Sequence, residues 1–112
     1  RGQQTLTLQQ VIEFGLQHHT AGDLSKAENI YQQILQTDPN HTDALHLLGV
    51  ISHQKGENER AVDLITKALA IKPNFAEAHN SLSASLHELG KLEEAVAALV
   101  EEATPPDLKA AG

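Results

Sequence analysis

Residues 42–75, TDALHLLGVISHQKGENERAVDLITKALAIKPNF, decide the fold. In the first half Ala44, Leu45, Leu47, Leu48, Val50 and Ile51 make a broad apolar face at helical spacing, and the pattern stops at Gly56. In the second half Ala61, Val62, Leu64, Ile65, Ala68, Leu69 and Ile71 repeat that spacing before Pro73. Glycine just past a helix takes a left-handed conformation without a Cβ penalty, and a helix seldom runs through the residue before proline. The segment therefore reads as helix, turn, helix.

A shift of 34 residues carries this reading along the chain. It superposes Gly22, Gly56 and Gly90, and likewise Ala27, Ala61 and Ala95. It also aligns His19, His53 and His87, and it pairs Tyr31 with Ile65 and Leu99, and Pro39 with Pro73. The chain thus divides into three units, over 8–41, 42–75 and 76–107, in one domain spanning 1–112 with tails at 1–7 and 104–112. Each unit is expected to hold two helices, the first ending at Gly22, Gly56 or Gly90. Thr7 with Gln10 makes a capping box for the first helix, and Asp23 is a cap for the second. Small residues at Gly15, Gly49 and Ser83, set against Ala27, Ala61 and Ala95, are expected to let paired helices approach closely. Thr104-Pro105-Pro106 is expected to stop the last helix.

Composition removes whole classes of function. Zero Cys excludes disulfide frameworks, thiolate metal sites and Cys nucleophiles. Eight Lys and Arg against fifteen Asp and Glu give a net charge of −7, which argues against nucleic acid as a partner. Apolar runs are too short for a membrane-spanning segment or a signal peptide, so no membrane partner and a cytoplasmic location are expected. A chain that opens on Arg1 and has no Met is expected to be a piece of a longer, bacterial protein. The serines lack a nucleophile-elbow context and the glycines form no phosphate-cradling loop, so no enzyme activity and no cofactor are expected.

The 34-residue period resembles the tetratricopeptide repeat (TPR) family. The second unit carries the pattern best, as Leu45, Leu48-Gly49, Ala61, Ile65, Ala68 and Pro73. The first has Val11, Phe14-Gly15, Ala27, Tyr31 and Pro39, and the third Leu82-Ser83, Leu86, Ala95 and Leu99. The resemblance implies an all-α, right-handed α-solenoid of three helix-turn-helix units that acts as a protein-interaction scaffold. It also implies a concave groove lined by the first helix of each unit. The groove positions are Gln9, Ile12, Leu16, His19 and Thr20, then Asp43, His46, Val50, His53 and Gln54, then Glu77, Asn80, Ala84, His87 and Glu88. Ile12, Leu16, Val50 and Ala84 are expected to form an apolar floor for a peptide or protein partner. No Lys or Arg falls in this set, so a clamp for a terminal carboxylate is not expected. Asn80 alone does not make the Asn ladder of sugar-transferase relatives.

Two other functions stay open. The stretch His41–Val50 looks like segments preceding glycosyltransferase or sulfotransferase domains, where the repeats would recruit an acceptor. Alternatively the exposed end of the stack self-assembles into a homodimer through Leu89, Leu92, Val96, Leu99 and Val100, by stacking of ends or exchange of helices. The His19, His53 and His87 column has three readings: last-turn imidazoles interacting with free carbonyls, partner contacts, or metal ligands. The separation of the helices argues against the third, so no metal site is expected.

Overall fold

The computed structural model describes residues 6–103, and side chains through 100. Five helices succeed one another: α1 (Leu8–Thr20), α2 (Leu24–Thr37), α3 (Thr42–Gln54), α4 (Asn58–Ile71) and α5 (Ala76–Ala103). No strand occurs among the described residues, and the architecture is an all-α helical solenoid. The tails at 1–5 and 104–112 and the stop at Thr104-Pro105-Pro106 lie outside the described residues.

Local chemistry sets the boundaries. Thr7 Oγ1 accepts from the Gln10 N–H at 3.1 Å, and Gln10 Oε1 accepts from the Thr7 N–H at 2.9 Å, closing the capping box on α1. Asp23 Oδ1 accepts from the Lys26 N–H at the start of α2. His41 caps α3, its Nδ1 accepting from the Ala44 N–H at 3.2 Å. At the C-termini of α1 and α3, Gly22 and Gly56 adopt φ of 88° and 82°. The N–H groups of Asp23 and Glu57 reach back to the carbonyls of His18 and Ser52, satisfying acceptors the helix leaves open.

Paired helices meet at glycine. A Cβ on Gly15 would collide with the Tyr31 ring, and one on Gly49 would stand 2.6 Å from Ile65 Cγ1. The close approach therefore runs from the small-residue column to the Tyr31/Ile65 column, with the Ala61 carbonyl at 3.4 Å as a further neighbour of Gly49. Around these contacts Ile12, Tyr31 and Ile34 join Ala44, Leu48 and Ile51 in one core that crosses from the first unit into the second. Ala61, Ile65, Phe75 and Ala78 make a second core between α4 and α5. Each unit thus buries its apolar face against the next.

The third unit departs from the expected hairpin. α5 runs 28 residues straight through Gly90, about 42 Å at 1.5 Å per residue, and Gly90 has no positive φ. Ser83 and Ala95, expected to face each other, are both exposed. The reason lies in the turn. In the first unit Asp23 caps the second helix; in the second, His53 Nδ1–H donates to Asn58 Oδ1 at 2.6 Å across the turn. The corresponding residues of the third unit are Lys91, which only donates, and Leu92, which has no polar group. With neither device, the backbone keeps its helical hydrogen bonds.

On the even-helix side, Glu28 joins α2 to Lys55 at 2.8 Å and to Arg60 at 2.8 Å, and Arg60 also reaches Glu57 at 3.4 Å. The Arg60 hydrogen bond, then that of Lys55, holds the Glu28 carboxyl below its ordinary 4.5. A depressed carboxylate pKa stabilises the fold above the unfolded value and loses that share as pH falls through the folded one. Glu28→Gln is therefore expected to cost about 1 kcal/mol at pH 7. Its deficit against the parent should shrink to nothing as denaturation is followed below pH 4.5. The glycines make a paired prediction for chemical denaturation. Gly49→Ala should destabilise by about 1–3 kcal/mol, because Ile65 is fully buried and has no room to move. Gly90→Ala, with nothing within 4 Å of the new Cβ, should stabilise by up to about 1 kcal/mol.

Candidate functional site

Hydrogen bonds at a spacing of 35 residues define the face shared by α1, α3 and the first half of α5. His19 Nε2–H donates to Gln54 Oε1 at 2.7 Å, tying α1 to α3. His46 Nε2 and Ser81 Oγ stand 2.8 Å apart, tying α3 to α5. The same His46 ring meets Phe75 edge-on, with centroids 4.9 Å apart, and Lys72 Nζ covers the Phe75 ring at 4.7 Å. Burial pushes the His46 pKa below 6.5, and the charges of Glu77 and Asp43 oppose that fall.

The expected groove residues divide into three groups. Ile12 and His46 are not groove contacts: at 2% and 8% exposure they are spent in packing between neighbouring helices. Ile12 is lost from the expected apolar floor because α3 folds over it through Ala44 and Leu48. Leu16 at 37% exposure, Val50 half-buried and Ala84 exposed make an accessible apolar row, one residue from each successive unit. Polar residues border that row. Gln9, Glu77 and Asn80 are exposed and Asp43 is half-buried on one side; Thr20, His87 and the half-buried Glu88 lie on the other.

The histidine column is not uniform. The imidazoles of His19 and His53 bond to the side chains of Gln54 and Asn58, a role that none of the three readings named. His87 is exposed in mid-helix, because α5 continues beyond it, so the last-turn reading fails there. No group of three His, Cys, Asp or Glu residues among the described residues is placed to hold a metal ion. No helix among the described residues is long and apolar enough to cross a membrane.

Three features were not anticipated. Ser81 as the partner of His46, and the Glu28–Lys55–Arg60 link, lie at offsets that a 34-residue comparison skips; a comparison at 35 exposes the His46–Ser81 pair. The third is a cleft of about 760 Å³ between the start of α4 (Gly56, Asn58, Arg60) and α5 (Glu88, Leu89, Leu92). It owes one wall to the straight run of α5 and has no sequence signal. Beyond it the expected self-association residues stand in solvent: Leu92 at 60%, Val96 at 51%, Leu99 at 66% and Val100 at 60% exposure, with Leu89 half-buried.

Comparison with known proteins matches residues 18–83 to the tetratricopeptide repeat family model. No curated protein sequence matches. Among solved structures, the C-terminal TPR-containing domain of a Plasmodium falciparum protein named for FK506 binding superposes with TM-score 0.72. It is 24% identical over 78% of this chain and 58% of that one. A crystal structure of MamA superposes with TM-score 0.69 at 23% identity, over 80% of this chain and 49% of that one. An O-GlcNAc transferase variant from Thermobaculum terrenum gives TM-score 0.63 at 32% identity, over 74% of this chain but 17% of that one. The chain thus spans about half the length of the first structures it matches, and at those identities the likeness is one of fold.

His46 generates a prediction of its own. A folded-state pKa below 6.5 means that stability is fully present above pH 6.5 and drains away as pH falls through the folded value. Thermal melts of His46→Gln should show less loss than the parent between pH 7 and pH 5. His46→Ala, which leaves a void beside Phe75 and strips Ser81 of its partner, should cost about 2–3 kcal/mol at pH 7.

Proposed function

The chain belongs to the tetratricopeptide repeat family, and from that premise we propose that the α1–α3–α5 face binds a peptide segment of a partner protein. Tetratricopeptide repeats act in general as protein–protein interaction modules. The observation that carries the reading is the row Leu16, Val50 and Ala84, which stays accessible while its neighbours Ile12 and His46 are buried. Apolar anchors of a bound segment fit such a row, with polar groups on either side fixing register. Asp43 and Glu77 border the row, as does Glu88, which is paired with Lys91 at 3.3 Å, so a segment with Lys or Arg beside its apolar anchors suits the carboxylates of Asp43 and Glu77.

A second reading rests on the 32% identity to 17% of the O-GlcNAc transferase chain. In it the repeats are the non-catalytic, acceptor-recruiting part of a longer glycosyltransferase or sulfotransferase. Both readings give this chain the same task of holding a protein, with no chemistry of its own. A transferase domain in the surrounding reading frame distinguishes the second.

Affinity capture with mass spectrometry identifies the partner, and titration of its binding segment tests the face. Leu16→Glu, at an exposed site that leaves the core untouched, is expected to weaken binding at least tenfold, about 1.4 kcal/mol. Circular dichroism should be unchanged. Full affinity in a folded variant would place the site elsewhere.

A further inference from the structure

We propose that two copies of this chain associate through the second half of α5, packed antiparallel along its apolar stripe as a short two-helix coiled coil. In the first half of α5, Ala78, Leu82 and Ser85 mark the face turned to the core: Ala78 and Ser85 are fully buried, and Leu82 packs on the cluster of Ala61 and Ile65. Their spacing, four residues alternating with three, continues without a break through Leu89, Leu92, Val96 and Leu99. That is the heptad spacing of helices that pack along a seam. At 100° per residue these last four side chains fall within about 80° of one another, so a single helix can meet all of them. Leu92, Val96 and Leu99 are each more than half exposed.

The end of α4 shows what kind of body fits the stripe. α4 runs antiparallel to α5, and its first turn stands beside Glu88 and Leu89, so the stripe emerges where α4 ends. A helix laid antiparallel on the stripe lies in line with α4 and brings its C-terminal end to the N-terminus of α4, where Glu57 supplies no side-chain cap. The negative end of one helix dipole then faces the positive end of the other. The cleft of about 760 Å³ opens at this junction, between Gly56, Asn58 and Arg60 on one side and Leu89 and Leu92 on the other, and leaves room for the end of the incoming helix.

A second copy supplies such a helix, because antiparallel pairing matches stripe to stripe. With Val96 of each copy against Leu99 of the other, Leu92 of each meets the last turn of the other α5. The contact is isologous, as a two-fold dimer requires. Charge at the edge of the seam selects this register, since Glu93 of each copy lies beside Val100 of the other. A slide of one heptad toward deeper overlap would set Val96 against Leu92, oppose the two Glu93 carboxylates and drive each helix end into α4. The stripes and their flanks bury on the order of 1,000 Å² in total, the lower end of specific interfaces, which fits a weak, reversible dimer.

Sedimentation of the full chain should move from the chain mass toward twice that mass between tens and hundreds of micromolar, and a strict monomer across that range would overturn the proposal. Leu99→Glu, at an exposed position, should weaken the dimer at least tenfold with circular dichroism unchanged. Leu86→Glu, exposed but turned about 100° from the middle of the stripe, should leave the dimer intact. Equal loss in both variants, or none in Leu99→Glu, would contradict the stripe. The chain contains no Cys, so introduced thiols report contacts without interference. Val96→Cys chains mixed with Leu99→Cys chains and oxidised should give more disulfide-linked heterodimer than either chain gives alone. Cross-linking of the Leu99→Cys chain with itself at equal yield would mean a parallel pair and would contradict the arrangement. Each copy carries a net charge of −7, so the dimer should tighten as salt rises. Weakening with salt would mean that ion pairs, not the apolar seam, hold the copies together.

Discussion

The contact between glycine and a large side chain across each helix pair is the constraint on which the rest depends. At Gly15 and Gly49 the absence of a Cβ lets the backbone of one helix rest on Tyr31 or Ile65 of the next. That spacing brings Ala27 and Ala61 to zero exposure and sets the offset at which the following helix finds Ala44 or Ala78. Interiors are packed too densely to absorb an extra methyl at such points. Where the column carries Ser83, the pairing is missing and the helix runs on.

This packing divides the labour between the two faces. The even helices are linked by ion pairs through Glu28, whose side chain is 15% exposed. The odd helices are linked by imidazole hydrogen bonds, His19 to Gln54 and His46 to Ser81. Polar bonds between successive helices align them as a unit and hold the accessible apolar row between them. A binding surface on secondary structure, oriented by such bonds, keeps its geometry without a ligand and saves ordering entropy on association.

Much of this was legible in the residues. The period, the helix ends at Gly22 and Gly56, the cap at Asp23 and the box of Thr7 and Gln10 all depend on local chemistry, which a sequence displays directly. The groove was legible only as a face. Whether Ile12 or Leu16 is buried depends on how far the next unit overlaps, and periodicity within one helix carries no such information. The break expected at Gly90 failed for a related reason. A glycine permits a turn without enforcing one, and enforcement comes from Asp23 in one unit and from His53 with Asn58 in the next. Their counterparts, Lys91 and Leu92, were visible in the sequence, but their weight emerges only when the three turns are set side by side.

The claim that two turned pairs are succeeded by an unbroken helix is tested most directly by backbone chemical shifts and amide exchange across the three glycines. Gly22 and Gly56 should show shifts of a left-handed residue and fast-exchanging turn amides, while Gly90 shows helical shifts and amides 88–94 exchange slowly and evenly. A turn signature at Gly90 equal to the other two would contradict the account.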